Sequence, residues 1–269
     1  MKYLIGSELA GFIKERQAKQ VRQLLQAHAV RPKLAIVAAS DNPTIKTYVN
    51  LKKRYGADIG ILVEEHIETA ATIVRKIDSL NIDDSVHGII VQLPLDDVTI
   101  TEEVLQSVDT KKDVDGLTKK SAFDAATPMA INWLLNGYNI ELKNKSIVIV
   151  GNGRLVGAPL NTMWLNSGLK PITVDEATEN KEVQITSADI IVTAVGKPSL
   201  ISADIVKYGA VVVDAGVASE KGVLKGDVAD DVFEREDVII TPKKGGVGPL
   251  TVCALFDNVI RSAFAYKNA

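Results

Sequence analysis

Short apolar runs alternate along the chain with longer segments in which apolar residues recur at helical spacing. The short runs predict β-strands at residues 34–38, 59–63, 88–93, 147–150, 172–174, 190–194, 211–214 and 238–240. The longer segments predict helices near residues 8–27, 43–55, 70–79, 101–107, 128–136, 156–166, 203–207 and 249–266. Since the strands are nearly continuous runs of Val and Ile, mostly separated by helices, the pattern predicts an α/β fold with parallel sheets covered on both faces.

Two polar segments, residues 109–113 and 141–145, interrupt this alternation. We therefore expect two domains. Residues 1–120 are predicted to form an N-terminal α/β domain, and residues 121–248 a Rossmann-like parallel-sheet nucleotide-binding domain. The last helix, within residues 249–269, is expected to pack back on the first domain.

Composition and charge narrow the class of protein. The 269 residues are 46% hydrophobic and 24% charged, which is ordinary for a soluble globular protein, and a net charge of −3 gives no reason to expect a nucleic acid or membrane partner. The single cysteine, Cys253, excludes an intramolecular disulfide and fits a reducing compartment. Without a signal-peptide or membrane-spanning pattern, we expect a cytoplasmic protein. Three histidines at no ligand-like spacing predict no metal site.

A glycine-rich turn follows the apolar run at residues 147–150. Its sequence is Gly151-Asn152-Gly153-Arg154-Leu155-Val156-Gly157. Closely spaced glycines let the backbone approach a pyrophosphate, and the start of the next helix favours its negative charge. The spacing is GxGxxxG rather than GxGxxG, so the turn predicts a nucleotide site but leaves a merely tight strand-to-helix connection open.

A lysine occupies an apolar helical stripe in the first domain. Asn42-Pro43 is typical of a helix start, and Ile45, Tyr48, Val49 and Lys52 then share one face. Burial would lower the pKa of Lys52 toward values useful for proton transfer. The alternative is a lysine whose stem covers the Tyr48 ring while its charge reaches water.

Two further polar features follow. The buried strand at residues 88–93 carries Gln92 near its carboxyl end, where α/β sheets present ligand-binding groups. The segment Lys112-Asp113-Val114-Asp115-Gly116 then places two carboxylates in a turn. Together these groups predict a polar cluster, and a capped loop with solvated aspartates is the alternative.

In this order, the segments resemble the bifunctional methylenetetrahydrofolate dehydrogenase/methenyltetrahydrofolate cyclohydrolase family. The resemblance covers nearly the whole chain and rests on Tyr48-Val49-Asn50-Leu51-Lys52, Gly88-Ile89-Ile90-Val91-Gln92-Leu93-Pro94, Lys112-Asp113-Val114-Asp115-Gly116, Thr127-Pro128, the Gly151–Gly157 turn with Pro159, Ala188-Asp189-Ile190 through Gly196, Asp214-Ala215-Gly216-Val217, Gly226-Asp227-Val228, and Gly245-Gly246-Val247-Gly248-Pro249.

The resemblance implies that 5,10-methylenetetrahydrofolate gives a hydride to NAD or NADP and that the methenyl product is hydrolysed to 10-formyltetrahydrofolate. It also implies a homodimer. Residues 1–120 would then be the catalytic domain. Lys52 would be the central cyclohydrolase residue, Gln92 would hold and tune it, Tyr48 would line the pterin site and Asp115 would fix the pterin ring.

The resemblance also implies two sets of binding residues. Substrate would contact Tyr48, Lys52, Val91, Gln92, Leu93, Asp115, Gly245, Gly246, Val247, Gly248 and Pro249. The nicotinamide cofactor would contact Gly151, Asn152, Gly153, Arg154, Val156, Gly157, Asp175, Ala177 and Val217.

Some positions depart from the family pattern. Asn152-Gly153 replaces the frequent Arg-Ser pair that commonly meets the 2′-phosphate of NADP, and Asp175 or Glu176 could bind a free ribose 2′-hydroxyl. These changes favour NAD, while Arg154 keeps NADP open.

On the folate side, Lys243-Lys244 replaces an apolar pair, and the loop at residues 125–130 lacks the usual cysteine and glycine. The two lysines could attract a polyglutamate tail or be solvated. The alternatives to a bifunctional enzyme are a Rossmann dehydrogenase for another small substrate, such as a shikimate-dehydrogenase-like protein, and a folate-binding relative that has lost an activity.

Overall fold

A computed structural model describes residues 2–40, 42–220 and 223–266 of the chain. The predicted domain ranges also included residues 1, 41, 221, 222 and 267–269, which lie outside the described residues. The predicted α/β class with parallel sheets is confirmed. No helix in the described ranges has the length and apolarity needed to cross a membrane.

Strands and helices follow one another along the chain. The strands are β1 (Lys2–Tyr3), β2 (Lys33–Ala38), β3 (Leu62–Ile67), β4 (Gly88–Gln92), β5 (Ile147–Val150), β6 (Ile172–Val174), β7 (Ile190–Thr193), β8 (Val211–Asp214), β9 (Ala218–Glu220), β10 (Val223–Lys225) and β11 (Ile239–Ile240). The α-helices are α1 (Gly6–His28), α2 (Pro43–Ile59), α3 (Ile73–Asn81), α4 (Thr101–Gln106), α5 (Ala126–Gly137), α6 (Gly157–Asn166), α7 (Lys181–Ser187) and α8 (Val247–Tyr266).

The chain divides into two compact units. The three-stranded unit comprises Gly11–Ala126 and the chain from Val252 onward, and the six-stranded unit comprises the chain up to Ala10 together with Thr127–Thr251. The first ten residues join the six-stranded unit because β1 pairs with β11. The domain boundaries expected at residues 120 and 248 stay a prediction.

The three-stranded unit is built on the parallel sheet β3-β2-β4. Apolar residues of β2 and β4 pack against those of α3 and α4 to form one core cluster. The last helix belongs to this unit: Gln17 on α1 donates from Nε2 to the carbonyl oxygen of Cys253 on α8, at 2.8 Å. The predicted packing of the last helix on the first domain is therefore confirmed.

The six-stranded unit is built on the parallel sheet β1-β11-β8-β7-β5-β6. The chain passes from β5 outward to β6 and then returns to place β7 on the other side of β5. The strand order thus reverses at the β5–β7 pair, and in open α/β sheets ligands bind outside the carboxyl ends of the strands at such a reversal.

The strand predicted at residues 59–63 overlaps the observed strand only at its last two residues. Helix α2 continues to Ile59, and Gly60, at φ +88°, turns the chain so that β3 begins at Leu62. Gly56 accepts the N–H of Ile61 at 2.8 Å and closes this helix end. The apolar run therefore spans the helix end, the turn and the first two residues of β3, and β3 itself is rich in polar residues, with no fully buried side chain.

Other elements differ from the sequence pattern in smaller ways. The helix predicted at 203–207 is a short 3₁₀ turn, Ala203–Ile205. The pattern missed β1, α7, β9 and β10, which are at most seven residues long. Such elements are too short for an apolar period to distinguish them from loops.

Candidate active site

Lys52 lies on the face of α2 that the apolar spacing predicted. Helix α2 begins at Pro43, and the side chains of Ile45 and Val49 on this face are buried. Tyr48 and Lys52, one turn apart, are only partly buried. The stripe therefore continues from a hydrophobic core into a polar site.

Gln92, the last residue of β4, holds the amino group of Lys52. Lys52 donates from Nζ to Oε1 of Gln92 at 2.7 Å, and Gln92 donates from Nε2 to the carbonyl oxygen of Leu93 at 3.0 Å. These two bonds fix the orientation of the amide, because its nitrogen must face the carbonyl. Val91 is buried in the sheet and Leu93 packs against the same core.

Asp115 adds a carboxylate whose charge acts on Lys52. It precedes Gly116, whose φ of +73° and close packing exclude a side chain, since a Cβ there would lie 2.6 Å from the backbone nitrogen of Ala125. Asn258 on α8 donates to the carbonyl oxygens of Val114 and Asp124 at 2.9 and 3.0 Å, which fixes the backbone before and after this turn.

Lys52 and Asp115 perturb each other's ionisation. Burial lowers the pKa of Lys52 below its ordinary value, and the charge of Asp115 opposes that change. Burial raises the pKa of Asp115 to about 6, the charge of Lys52 opposes the rise and that of Asp113 adds to it. Perturbed ionisation of a lysine and a carboxylate in one polar cluster is typical of an acid–base site.

The neighbouring residues of the Lys112–Gly116 segment have structural positions. Lys112 is fully buried and donates from Nζ to the carbonyl oxygens of Leu80 and Asp83, at 3.0 and 2.7 Å, near the end of α3. Asp113 accepts the backbone N–H groups of Gly116 and Thr118 at 3.1 and 2.7 Å. Of the two carboxylates in this segment, only that of Asp115 acts on the pKa of Lys52.

The glycine turn after β5 has the close packing that a phosphate site needs. Gly151 has a φ of +101°, and a Cβ on Gly157, the first residue of α6, would overlap the carbonyl oxygen of Gly151. A Cβ on Gly153, by contrast, would meet nothing within 4 Å. Asn152, Gly153 and Arg154 are exposed at the start of the helix, where N–H groups favour an anion.

Loops after β7 and β8 adjoin this turn. A Cβ on Gly151 would lie 2.9 Å from the carbonyl oxygen of Ala194, and one on Gly196 would lie 3.2 Å from that of Val217. The structure therefore brings the predicted cofactor residues Gly151 and Val217 to the same loop, Ala194–Gly196, at the reversal of strand order.

Acidic side chains follow β6, as the sequence predicted. Asp175 accepts the N–H of Ala177 at 3.0 Å and the hydroxyl of Thr178 at 2.9 Å with the same oxygen, Oδ1, which forms a compact turn. Glu176 pairs with Lys197 at 3.3 Å, and both side chains are well exposed.

The Gly245–Pro249 segment lies in the six-stranded unit at the start of α8. Ser7 donates its backbone N–H to the carbonyl oxygen of Gly245 at 2.9 Å, and a Cβ on Gly6 would overlap the carbonyl oxygen of Gly246. Val247 is buried, whereas Gly248 and Pro249 retain solvent exposure. Lys243 pairs with Asp230 at 2.7 Å and lies over the Phe233 ring, and Lys244 is exposed.

Sequence reasoning missed a pair of carboxylates in the six-stranded unit. Asp227 is fully buried and accepts three hydrogen bonds from residues 193–197. Asp214, at the end of β8, accepts the N–H groups of Asp227 and Val228 at 3.1 and 3.0 Å. In the sequence, each of these aspartates stands in a glycine-containing motif beside an apolar strand. Those motifs carried the resemblance to the family, but they did not show which groups the two carboxylates bind.

Family models match both parts of the chain. Residues 4–115 match the catalytic domain of tetrahydrofolate dehydrogenase/cyclohydrolase, and residues 125–267 match its NAD(P)-binding domain. The chain belongs to the tetrahydrofolate dehydrogenase/cyclohydrolase family. The resemblance carried by the sequence motifs is thus confirmed.

Relatives of the same family match over nearly the full length. The bifunctional protein FolD of Campylobacter jejuni is 37% identical over 279 residues, which cover 98% of this chain and 98% of the relative. A crystal structure of the C. jejuni bifunctional dehydrogenase/cyclohydrolase has a TM-score of 0.91 at 35% identity and covers 98% of this chain and 99% of the other. The Trypanosoma brucei dehydrogenase-cyclohydrolase, crystallised with NADP and an inhibitor, has a TM-score of 0.91 at 28% identity, with 99% and 98% covered.

The family membership agrees with the geometry of the six-stranded unit. The glycine turn, the start of α6 and the exposed carboxylates after β6 fit a nicotinamide dinucleotide. The predicted nicotinamide cofactor is confirmed at the level of an NAD(P)-binding domain. Among the described residues, no group of three or more His, Cys, Asp or Glu side chains is arranged to hold a metal ion.

Proposed function

We propose that the protein oxidises 5,10-methylenetetrahydrofolate with a nicotinamide cofactor and hydrolyses the resulting 5,10-methenyl compound to 10-formyltetrahydrofolate. The observation that carries this proposal is the Lys52–Gln92–Asp115 cluster. A lysine of lowered pKa is held by a neutral amide, and the charge of a carboxylate of raised pKa acts on it. A Rossmann dehydrogenase for another small substrate gives no reason for this cluster.

Lys52 is the proton-transfer residue of the hydrolysis. A water oxygen adds to the methenyl carbon while one water proton passes to the neutral amine of Lys52. The bond from that carbon to N5 then breaks, N5 takes a proton from Lys52, and the proton of the adduct hydroxyl leaves to solvent as the formyl C=O forms. The substrate cation and water thus give neutral product and one released proton, so no other reactant is needed.

Gln92 keeps Lys52 in this role. Its amide oxygen accepts one N–H of the amino group without the full negative charge of a carboxylate. A glutamate in its place would stabilise the ammonium form and raise the pKa of Lys52. The amide therefore positions the lysine and preserves its lowered pKa.

Asp115 and Tyr48 bind and orient the substrate in this proposal. A carboxylate fixed by the Gly116 turn can accept N–H groups from a pterin ring, and its raised pKa also lets it carry a proton near neutral pH. Tyr48, one turn before Lys52, offers a ring face for stacking. The remaining predicted substrate contacts are Val91, Leu93, Gly245, Gly246, Val247, Gly248 and Pro249.

The six-stranded unit binds the cofactor. The N–H groups at the start of α6 would hold a pyrophosphate, and Gly151 and Gly157 would let the backbone approach it closely. When bound, the nicotinamide supplies the hydride acceptor. Hydride transfer requires the two rings to be held in contact rather than an added acid or base. The predicted contacts are Gly151, Asn152, Gly153, Arg154, Val156, Gly157, Asp175, Ala177 and Val217.

We further propose that NAD is preferred over NADP. The carboxylate of Asp175 lies directly after β6, where a free ribose 2′-hydroxyl is bound and a 2′-phosphate is repelled. Oδ1 of Asp175 is used in its own turn, and within the described chain Oδ2 accepts no hydrogen bond. Asn152 and Gly153 supply no cation for a 2′-phosphate, although Arg154 is nearby in sequence.

The test measures the two activities separately on the unmodified protein. Reduction of NAD and NADP is followed with methylenetetrahydrofolate at matched concentrations, and hydrolysis of methenyltetrahydrofolate is followed without any nicotinamide cofactor. We expect both reactions, with a higher kcat/KM for NAD. Hydrolysis without reduction would make the chain a cyclohydrolase alone, and folate binding without either reaction would make it a non-catalytic relative.

The expected assembly and domain organisation also remain proposals. We propose that residues 1–120 with the last helix act as the folate domain, that residues 121–248 act as the cofactor domain, and that two copies form a homodimer. Light scattering during size-exclusion chromatography would measure a mass of twice 28.9 kDa for the dimer.

A further inference from the structure

We propose that Asp227 is a positioning residue for the nicotinamide cofactor, acting through the loop after β7. This inference rests on the proposed dehydrogenase activity and adds a residue to it. Asp227 itself is fully buried, so it acts on the cofactor only through the backbone that it holds.

Three donors of one loop converge on the Asp227 carboxylate. Thr193 donates its hydroxyl to Oδ2 at 2.7 Å, Val195 donates its N–H to Oδ2 at 2.8 Å, and Lys197 donates its N–H to Oδ1 at 2.7 Å. Alternate residues from the end of β7 are thus bound to one side chain. Hydrogen bonds to an ionised acceptor are about twice as strong as neutral ones, so this contact fixes the loop.

The loop that Asp227 holds lies beside the glycine turn. The carbonyl oxygen of Ala194 and Cγ2 of Val195 would each be 2.9 Å from a Cβ on Gly151. Gly196, at φ +78°, lies against the carbonyl of Val217. A displacement of this loop by even 1 Å would therefore change the surface that the cofactor meets at the β5–β7 reversal.

Asp227 is itself held from the other side. Asp214 accepts its backbone N–H at 3.1 Å, and a Cβ on Gly216 would overlap the Asp227 carboxylate. A Cβ on Gly226 would likewise overlap the Asp214 carboxylate. Each glycine therefore leaves room for the carboxylate of the other motif. Gly216 makes room for Asp227, and Gly226 makes room for Asp214, so the two motifs fit together only as a pair.

A carboxylate is required at position 227 because both of its oxygens accept hydrogen bonds. In Asp227→Asn, one oxygen becomes an NH₂ group that faces an N–H of Val195 or Lys197, and one donor is left without an acceptor. The loop then loses its fixed position. Because cofactor binding must then also order the loop, the affinity for the cofactor falls.

The experiment compares Asp227→Asn with Asp189→Asn. Asp189 lies directly before the first residue of β7, so it is at the amino-terminal end of the strand whose carboxyl end Asp227 holds. Its carboxylate accepts hydrogen bonds from the N–H of Ser146 at 2.9 Å and from Nζ of Lys207 at 2.6 Å. Both variants therefore lose a carboxylate that binds a backbone N–H. Kd for NADH and NADPH is measured by titration. Hydrolysis of methenyltetrahydrofolate, which consumes no nicotinamide, reports on the three-stranded unit, and the circular dichroism spectrum reports on folding of the whole chain.

We expect Asp227→Asn to raise Kd and KM for the preferred cofactor on the order of 10- to 100-fold, with hydrolysis nearly unchanged. Asp189→Asn should leave Kd unchanged. Equal Kd values for Asp227→Asn and the unmodified protein would overturn the inference. So would an equal rise in both variants, since that would indicate a purely structural effect.

If Asp227→Asn does not fold, a milder variant tests the same inference. Thr193→Val keeps the side-chain shape and removes only one of the three donors. A rise in Kd on the order of 2- to 10-fold, with hydrolysis retained, would support the inference, and no rise would overturn it. If the unmodified protein binds neither NADH nor NADPH, the dehydrogenase proposal itself fails, which is a separate result.

Discussion

Nζ of Lys52 lies 2.7 Å from Oε1 of Gln92, so a residue on a helix and a residue at the end of a strand share one partly buried hydrogen bond. The lysine sits on an apolar stripe and the glutamine ends an apolar strand. Neither position requires a polar side chain for the fold. Their contact therefore supports the proposal that chemistry, rather than packing, determines the residue type at both positions.

Lys52→Met should abolish hydrolysis of methenyltetrahydrofolate. The variant keeps the length and apolar stem of the side chain but removes the amine that transfers the proton, and we expect a loss in kcat on the order of 10²- to 10⁴-fold. Cofactor Kd should not change. The matched control is Lys53→Met, because Lys53 is the next residue but pairs with Glu65. Normal hydrolysis by Lys52→Met would remove this residue from the mechanism.

Asp115→Asn should stabilise the protein at neutral pH while it weakens activity. The pKa of Asp115 rises from an ordinary 3.8 to about 6 in the folded state. The folded state thus binds the proton more tightly than the unfolded state does, and stability falls as the pH rises from about 4 to about 6. Above pH 6 the ionised carboxylate destabilises the fold by up to about 3 kcal/mol, which the amide avoids.

Urea unfolding of Asp115→Asn at several pH values measures this effect. The free energy of unfolding of the variant should exceed that of the unmodified protein by about 1–3 kcal/mol at pH 7, and the two values should be equal near pH 4. Asp113→Asn is the control, and we expect it to be destabilised rather than stabilised. Because Asp113 accepts two backbone N–H groups, the free energy of unfolding of this variant should fall by about 1–3 kcal/mol at pH 7. A stability gain for Asp115→Asn that is the same at pH 4 and pH 7 would contradict the raised pKa.

Asp175→Ser should weaken discrimination against NADP. The change removes the carboxylate that would repel a 2′-phosphate, so we expect the NAD/NADP ratio of kcat/KM to fall on the order of tenfold. Asp204→Ser, an exposed position on the 3₁₀ turn between β7 and β8, makes the same change away from β6. An unchanged ratio in Asp175→Ser would leave Glu176 as the carboxylate to test.

The periodicity of the sequence predicted most of the fold because the central strands are buried on both faces. Runs such as Ile147–Val150 and Val211–Asp214 have the predicted bounds in the structure. The prediction was wrong at Ile59, which ends α2, and the strand itself, Leu62–Ile67, is half polar. Apolar runs identify burial, and they identify a strand only where the sheet itself is buried.

The polar residues of the site could be predicted less completely. Lys52 and Gln92 were visible as polar residues in apolar segments, and the structure joins them. Lys112 gave no comparable signal, since it lies in a polar segment, yet it is fully buried and binds two carbonyl oxygens. The contacts of Asp227 were equally hidden, because its partners on the β7 loop are about thirty positions away and most are backbone N–H groups.

Gly157→Ala should impair cofactor binding, whereas Gly153→Ala in the same turn should not. A Cβ on Gly157 would overlap the carbonyl oxygen of Gly151, and a Cβ on Gly153 would meet nothing within 4 Å. We expect Kd for the preferred cofactor to rise at least on the order of tenfold in Gly157→Ala, with a loss of about 1–3 kcal/mol in stability, because the helix must move away from the strand. Isothermal titration and urea unfolding of both variants measure these effects. Equal Kd values for the two alanine variants would mean that the close approach of α6 to β5 does not shape the phosphate site, and the cofactor would then have to be held by the loops after β7 and β8 alone.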